Sequence, residues 1–215
     1  MMARPDPLRE RLGHVVWIGG ASGAGKSSIA RRIAVRRGLG LYSTDEAMAD
    51  HAGRSRPEDS PLLQAFKAMD MDERWLNRTP QAMFETFHWF AGEGFQLILQ
   101  DLLAPPPRDP VVAEGFRLLP RLVEPLLSDR RRAVWLIPTP EFRRAAFESR
   151  GELWTIAGRT SDPGRALDNL LRRDAMFAEV VARDARALGL AVLEVDGRIP
   201  EAELAEQVEK RLDLD

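Results

Sequence analysis

Five short runs along the chain are almost continuously apolar: "HVVWIGG" (14–20), "GLYST" (40–44), "PVVAEG" (110–115), "RAVWLIPT" (132–139) and "LAVLEVDG" (190–197). A strand with one wet face alternates apolar and polar residues. An unbroken apolar run suits a strand covered on both faces, as in a parallel sheet. The longer stretches between the runs carry apolar residues at helical spacing, and three of them open on proline: Thr79-Pro80, Thr139-Pro140 and Asp162-Pro163. Proline is tolerated at a first helical position because its missing N–H would have no partner there, and the preceding Thr or Asp can cap. The first pattern predicts a helix to about residue 103, with Met83, Phe84, Phe87, Phe90, Phe95, Ile98 and Leu102 near helical spacing and a kink at Gly92 and Gly94. The second predicts a helix to about Arg150. The third predicts a helix from Pro163 with Leu167, Leu170, Leu171, Phe177, Val181 and Leu188 on one face.

Strand–helix alternation of this kind implies right-handed crossovers and a three-layer α/β fold. A length of 215 residues fits a single domain over 1–215, and no internal repeat is visible. The interval 45–110 is too long for a simple crossover and is read as an insert. "APPPRDP" (104–110) reads as a stiff entry into the next strand.

Composition narrows the function. Charged residues make up 30% of the chain, yet the net charge is only -2, which argues against a general nucleic-acid or membrane-surface binder. There is no cysteine, so disulfides and thiolate metal sites are excluded. The first residues, "MMARPDPLRERLGHVVW", place prolines and acids where a signal peptide needs an apolar run, and no stretch is long enough for a membrane span. The expectation is a soluble cytoplasmic protein. Arginine far outnumbers lysine and alanine is frequent, as in a GC-rich bacterial genome. His14, His51 and His88 lack metal-ligand spacing.

One of only three lysines sits in "GGASGAGKSS". Gly20, Ala21, Ser22, Gly23, Ala24, Gly25, Lys26 and Ser27 fit G-x-x-x-x-G-K-[ST], after a predicted strand and before a predicted helix. Glycines let the chain curl so that successive N–H groups converge on an anion. The helix N-terminus adds its positive dipole end. Lys26 then reaches the β- and γ-phosphates of a nucleotide as a compact charge that arginine's planar fork cannot replace, and Ser27 serves Mg²⁺. Ser28 completes the nucleotide-contacting stretch. ATP and Mg²⁺ are the expected cofactors, and the loop "GRIP" (197–200) is a candidate contact for the base.

Three further features bear on the reaction. Asp45, in "LYSTDEAM", falls just past the carboxyl end of the second strand, where open α/β sheets bind ligands. It is read as a base for an acceptor hydroxyl, as a Mg²⁺ ligand, or as a helix cap. Glu114, ending the third strand in "PVVAEGFRLLP", is read as acting on Mg²⁺ through water, on the acceptor, or as a carboxylate satisfied by backbone. Arg117, close by, binds an anionic acceptor or faces water. The arginine-rich stretch 143–173 suggests a lid at about 150–165 that closes over phosphates. Arg159 in the loop and Arg173 are its leading candidates, with Arg150 at its start. The remaining arginines are read as solvated. The rings of "FETFHWFAGEGF" are read first as core and second as the lining of an acceptor pocket.

On "IGGASGAGKSSIARRIA", "STDEAM" and "AEGFRLLP" the chain resembles P-loop kinases of the nucleoside-monophosphate-kinase type, and among them 2-phosphoglycerate kinase. The resemblance implies a five-stranded parallel sheet of order 2-3-1-4-5 in a three-layer αβα P-loop NTPase fold, an acceptor-binding region after the second strand and a helical lid after the fourth. It aligns Gly20–Ser28, Asp45 and Glu114 with family positions. Phe116-Arg117 stand where that family commonly has Val-His. Antibiotic-modifying kinases such as chloramphenicol phosphotransferase share the same plan. The expected activity is transfer of the γ-phosphoryl of ATP to a small-molecule hydroxyl, of a phosphoglycerate-like acid or an antibiotic. The alternatives are a regulatory NTPase that signals to a protein partner through 45–110, and a nucleic-acid-end kinase, which the net charge disfavours.

Overall fold

β1 (Val15–Gly20) lies at the centre of a five-stranded sheet in which every pairing is parallel. Beside it run β2 (Gly40–Ser43), β3 (Val111–Glu114), β4 (Ala133–Pro138) and β5 (Ala191–Val195), in the order 2-3-1-4-5. The computed structural model describes residues 7–104, 110–150 and 152–214, with the backbone alone for 147–150 and 152–154. Most of the proline-rich connector, 105–109, lies outside them.

All six residues of β1 and of β4 are buried. Their alternate side chains feed two separate layers, which is why the runs are unbroken rather than alternating. On one side Val16, Ile18, Val134 and Leu136 pack with Ile29, Ile33, Leu204 and Val208. Those partners come from α2 (Lys26–Arg37) and from the C-terminal helix Glu201–Arg211. On the other side Val15, Trp17, Trp135 and Ile137 pack with Ile98, Leu102, Phe177 and Val181. The edge strands differ from the expectation of double coverage. β2 and most of β5 are exposed or half-buried, because each has a neighbour on one side only.

A short helix α1 (Pro7–Arg11) precedes β1. Between β2 and β3 six helices form the insert: α3 (Met48–Arg54), α4 (Pro61–Ala68), α5 (Met71–Trp75), α6 (Pro80–Thr86), α7 (His88–Ala91) and α8 (Phe95–Leu103). The single helix expected from Pro80 to about 103 is therefore three. Gly92 (φ 96) and Gly94 (φ 73) adopt the left-handed conformation, which stops α7 and starts α8 in a new direction. Phe87, at φ -75 and ψ 111, breaks α6 from α7. After β3 come α9 (Pro120–Val123) and, past β4, α10 (Pro140–Arg150), α11 (Glu152–Ala157) and α12 (Pro163–Ala187). The interval expected as a helical lid, about 150–165, contains α11. Gly151 lies outside the described residues. α13 (Glu201–Arg211) closes the chain against α2.

Two groups of contacts fix the insert. Tyr42 on β2 donates to Asp101 on α8 (2.9 Å), which also meets His51 Nε2 (2.6 Å) and Arg54 (2.8 Å) from α3. Asp50, His51 and Asp101 lie close enough together to suggest a cation site, but Arg54 already bridges both carboxylates. At the other end Asp72 accepts from the Ser161 N–H (2.7 Å) and hydroxyl (2.5 Å), which holds its carboxyl below the usual range. Asn169 on α12 donates to Trp75 O and Leu76 O, and beneath these bonds Trp75, Leu76, Ala157, Ala166 and Leu170 form an apolar cluster. Among the described residues no helix is long and apolar enough to cross a membrane.

Phe177 on α12 is 2% exposed and stacks on Phe90 with centroids 3.9 Å apart, joining the sheet layer to the insert. Phe177→Ala is expected to lower the unfolding free energy by about 3–5 kcal/mol in urea titration. A loss below about 1 kcal/mol would show that this layer does not hold the insert.

Candidate active site

The loop between β1 and α2 follows from its glycines. Gly23 (φ 81) and Gly25 (φ 76) occupy left-handed backbone that other residues rarely adopt, and Gly25 sits at the N-cap of α2. Lys26 is the first residue of the helix and is 6% exposed, with its Nζ donating to Ala21 O at 2.8 Å. Ala21 and Ala24 are fully buried and anchor the loop from below, with Ala21 N bonded to Leu136 O. The N–H groups of the first turn and the positive end of the helix dipole face the same side.

Three elements converge on this loop. Glu114, at the end of β3, is 1% exposed. Its carboxylate accepts from Ser43 at the end of β2 (2.6 Å) and from Ser27 on α2 (3.1 Å). Burial pushes its carboxyl above the usual range and Asp45 adds to the push, while the Ser43 and Ser27 bonds and Lys26 oppose it. Asp45 follows β2, with its Oδ1 accepting from Thr44 Oγ1 at 3.2 Å. Gly115 (φ 141) lets β3 turn away here, since a Cβ would stand 1.8 Å from Thr44 Oγ1. The hydroxyl of Ser27 and the carboxylates of Asp45 and Glu114 form an oxygen-rich set that suits a hard divalent cation. The loop's convergent N–H groups suit a phosphate chain.

Ser22, Gly23, Gly25, Lys26, Ser27 and Ser28 line one end of a cavity of about 660 Å³, together with Ser43, Asp45 and Glu46. The rest of the lining comes largely from the insert, with Phe116, Ile156, Arg173 and Asp174 added. Arg173 is 6% exposed and gives Asp174 Oδ1 two hydrogen bonds, at 2.8 and 2.6 Å. Its guanidinium lies over Trp75, Phe87 and Phe90.

The other arginines fall elsewhere. Arg117 is 2% exposed and does not line the cavity. It donates to Thr44 O (3.2 Å) and Gly94 O (3.3 Å) and lies 4.0 Å over the Trp89 ring. Burial lowers its pKa to about 10, so it stays charged at neutral pH. It braces the turn that carries Asp45 instead of facing water. Arg159 is exposed, with its side chain outside the cavity lining. The Arg150 side chain lies outside the described residues. Arg198, in the loop after β5, is exposed and paired with Asp196.

Arg143, read from the sequence as solvated, is 6% exposed. It donates to Asp174 O at 3.1 Å, and a Cβ on Gly23 would lie 3.5 Å from its Cγ. It therefore packs against the glycine loop. Its place in the first turn after Pro140, on the helix that follows β4, was the available signal. His88 is the other residue the sequence left without a role. It is 3% exposed, lines the cavity, and is pushed down to about 4 by burial and the nearby cations.

No family model matches the chain, and no curated protein sequence matches it. Solved structures do. An uncharacterized protein from Eubacterium ventriosum is 17% identical with a TM-score of 0.47, covering 94% of this chain and 98% of that one. A gluconokinase from Sinorhizobium meliloti is 20% identical with a TM-score of 0.49, covering 94% and 92%. A shikimate kinase from Acinetobacter baumannii, in complex with shikimate, is 18% identical with a TM-score of 0.42, covering 97% and 99%. At TM-scores below 0.5 these likenesses carry no weight for the function of this chain.

His88 makes stability depend on pH. Its folded pKa of about 4 lies below the ordinary 6.5, so between these values the unfolded chain binds the extra proton. Stability is therefore lost as pH falls from about 6.5 towards about 4. His51, also lowered by burial, acts in the same direction, and Glu114, raised, acts in the opposite one. His88→Phe is expected to remove a component on the order of a few kcal/mol from that decline. The check is a comparison of urea midpoints at about pH 7 and pH 4.5 in both proteins; parallel declines would leave His88 with no part in it.

Proposed function

We propose that the protein is a phosphotransferase that moves the γ-phosphoryl group of ATP to a hydroxyl of a small molecule. One observation carries the reading. The left-handed glycine loop, Lys26 and Ser27 share a single cavity with Asp45, and Glu114 bonds Ser27 from behind. A phosphate cradle alone would serve any nucleotide binder. A carboxylate on the same cavity adds a group that can take a proton from an acceptor.

In this reading the loop from Gly20 to Ser28 holds the phosphates through its N–H groups, and Lys26 swings from Ala21 O to neutralise the transferring group. Ser27, Asp45 and Glu114 would hold Mg²⁺, which would supply positive charge against the developing negative charge of the transferring group. Asp45 orients the acceptor hydroxyl and takes its proton. Glu114, bonded to Ser27 and Ser43, would present its carboxylate to the cation from behind the loop. Arg143, against Gly23, adds positive charge beside the loop. Arg173, on the cavity wall, is the lid-side arginine of this reading, and Arg117 positions Asp45 through Thr44. Catalysis rests on positioning and charge stabilisation.

The insert supports an acceptor over a protein partner. Residues 45–110 were also readable as an outward interaction surface, yet they turn six ring-bearing side chains into the cavity, from Phe66 to Phe90.

The test is incubation with γ-labelled ATP, Mg²⁺ and a pool of hydroxylated small molecules. Label is expected on one class of acceptor. Lys26→Ala and Asp45→Asn are each expected to cut transfer by about a hundredfold or more. Label moving to water alone, or staying on bound ATP, would overturn the reading in favour of a regulatory nucleotide binder.

A further inference from the structure

Beyond the residues of the glycine loop, much of the cavity lining is rings. Phe66, Trp75, Phe87, Trp89, Phe90 and Phe116 all line it. All but Trp89 form a continuous set of edge and tilted contacts, and Trp89 joins it through the His88 ring. Phe66 lies 5.3 Å from Trp75 and 5.5 Å from Phe87, and Phe87 lies 4.8 Å from Phe90. Phe90 in turn lies 5.9 Å from Phe116. These contacts hold the faces in fixed orientations, so the wall is built before any ligand arrives.

The polar groups on this wall are few. Among the described lining residues of the ring wall they are His88, Arg173 and Asp174. His88 is neutral at physiological pH. A sugar acid or polyol needs donors and acceptors matched to each hydroxyl, and a hydroxyl placed against a ring without a partner loses its hydration. Such a molecule finds partners near Lys26 and Asp45 and, on the ring wall, at His88 Nδ1 and Arg173 Nη1, which are buried without a hydrogen-bond partner.

A ring cage can also take a cation. Here that place is filled by the protein. The Arg173 guanidinium stands 5.0 Å from the Trp75 centroid, 4.8 Å from Phe87 and 5.2 Å from Phe90. A second cation would meet its repulsion. Asp174 pairs with Arg173 at 2.6 Å and offsets its charge, leaving the Arg173 Nη1 as a single donor without a partner. The complement of such a wall is a neutral planar π-system, which stacks on ring faces and on a guanidinium plane alike.

We infer that the phosphoryl acceptor is a hydroxyl-bearing molecule with a neutral aromatic body, seated on the wall formed by Phe66, Trp75, Phe87, Trp89, Phe90 and Phe116, with its hydroxyl turned to Asp45. This rests on the phosphotransferase reading and names its acceptor class. The acceptor oxygen forms a bond to the γ-phosphorus, and the bond from that phosphorus to the β,γ-bridging oxygen breaks. The bridging oxygen keeps the electron pair and leaves on ADP. The hydroxyl proton passes to Asp45 and from there to solvent. The product is the phosphate monoester of the aromatic alcohol.

The experiment has two arms on the full chain. In the first, tryptophan fluorescence excited at the red edge is titrated with 2-phenylethanol, cyclohexylethanol, gluconate, glycerate and tetramethylammonium, without nucleotide. In the second, the alcohols and acids are offered with Mg²⁺ and γ-labelled ATP. Saturable quenching by 2-phenylethanol is expected at a concentration at least about tenfold lower than for either acid or the cation, and about threefold lower than for cyclohexylethanol. Label is expected on 2-phenylethanol. Phe87→Leu, which keeps bulk but removes a ring, is expected to raise its Kd and KM about three- to tenfold with the KM for ATP unchanged within about twofold. Phe66→Leu, at a half-buried position, gives the same comparison should Phe87→Leu fail to fold. Lys26→Ala is expected to bind 2-phenylethanol within about twofold of the parent while losing transfer. Label on an acid with none on 2-phenylethanol overturns the aromatic acceptor and leaves the phosphotransferase standing. Tightest quenching by tetramethylammonium, or equal affinity for cyclohexylethanol, also overturns it. Quenching by 2-phenylethanol with bound ATP and no label on any acceptor overturns both readings.

Discussion

A carboxylate at 1% exposure has to be met by donors, and Glu114 imposes that requirement on everything around it. Its donors are Ser43 and Ser27, one at the end of β2 and one on the first turn of α2. Three chain segments that are distant in sequence are thereby pinned at one edge of the sheet. Asp45 lies two residues beyond Ser43, Lys26 one before Ser27, and Gly115 one beyond Glu114. Each is placed by its neighbour's bond to the same group. The parallel pairing of β3 with β1 and with β2 brings the carboxyl ends of β2 and β3 to the loop after β1.

The parts of this arrangement that were legible in sequence are those decided locally. Strands buried on both faces read as apolar runs, and the loop Gly20–Ser27 carries its own glycines and its own lysine. Residues whose environment is made by distant segments were harder to read. Arg143 looks like any solvated helix arginine until Asp174 O and Gly23 are seen beside it. Arg117 offers no sign of burial in "EGFRLLP", because its partners Thr44 O and Gly94 O come from elsewhere in the chain. Arg159 sits where a lid arginine was expected, but its side chain is in solvent.

The ring stripe is the most instructive case. Its spacing from Met83 to Leu102 fits one amphipathic helix, and on that reading the rings form core. Two left-handed glycines and the break at Phe87 divide the stripe into three short helices that bend around a space. Some rings then do pack as core, as Phe95 does, and others become a lining. Hydrophobic periodicity reports that a face is apolar. It does not report whether that face meets protein or a cavity.

The bonds from Asp72 to Ser161 and from Asn169 to Trp75 and Leu76 carry a mechanical consequence. They tie the ring-bearing helix α5 to the turn before α12 and to α12 itself, over a shared apolar cluster. The ring wall and the start of α12 are therefore coupled: separating them would break these bonds and expose that cluster together.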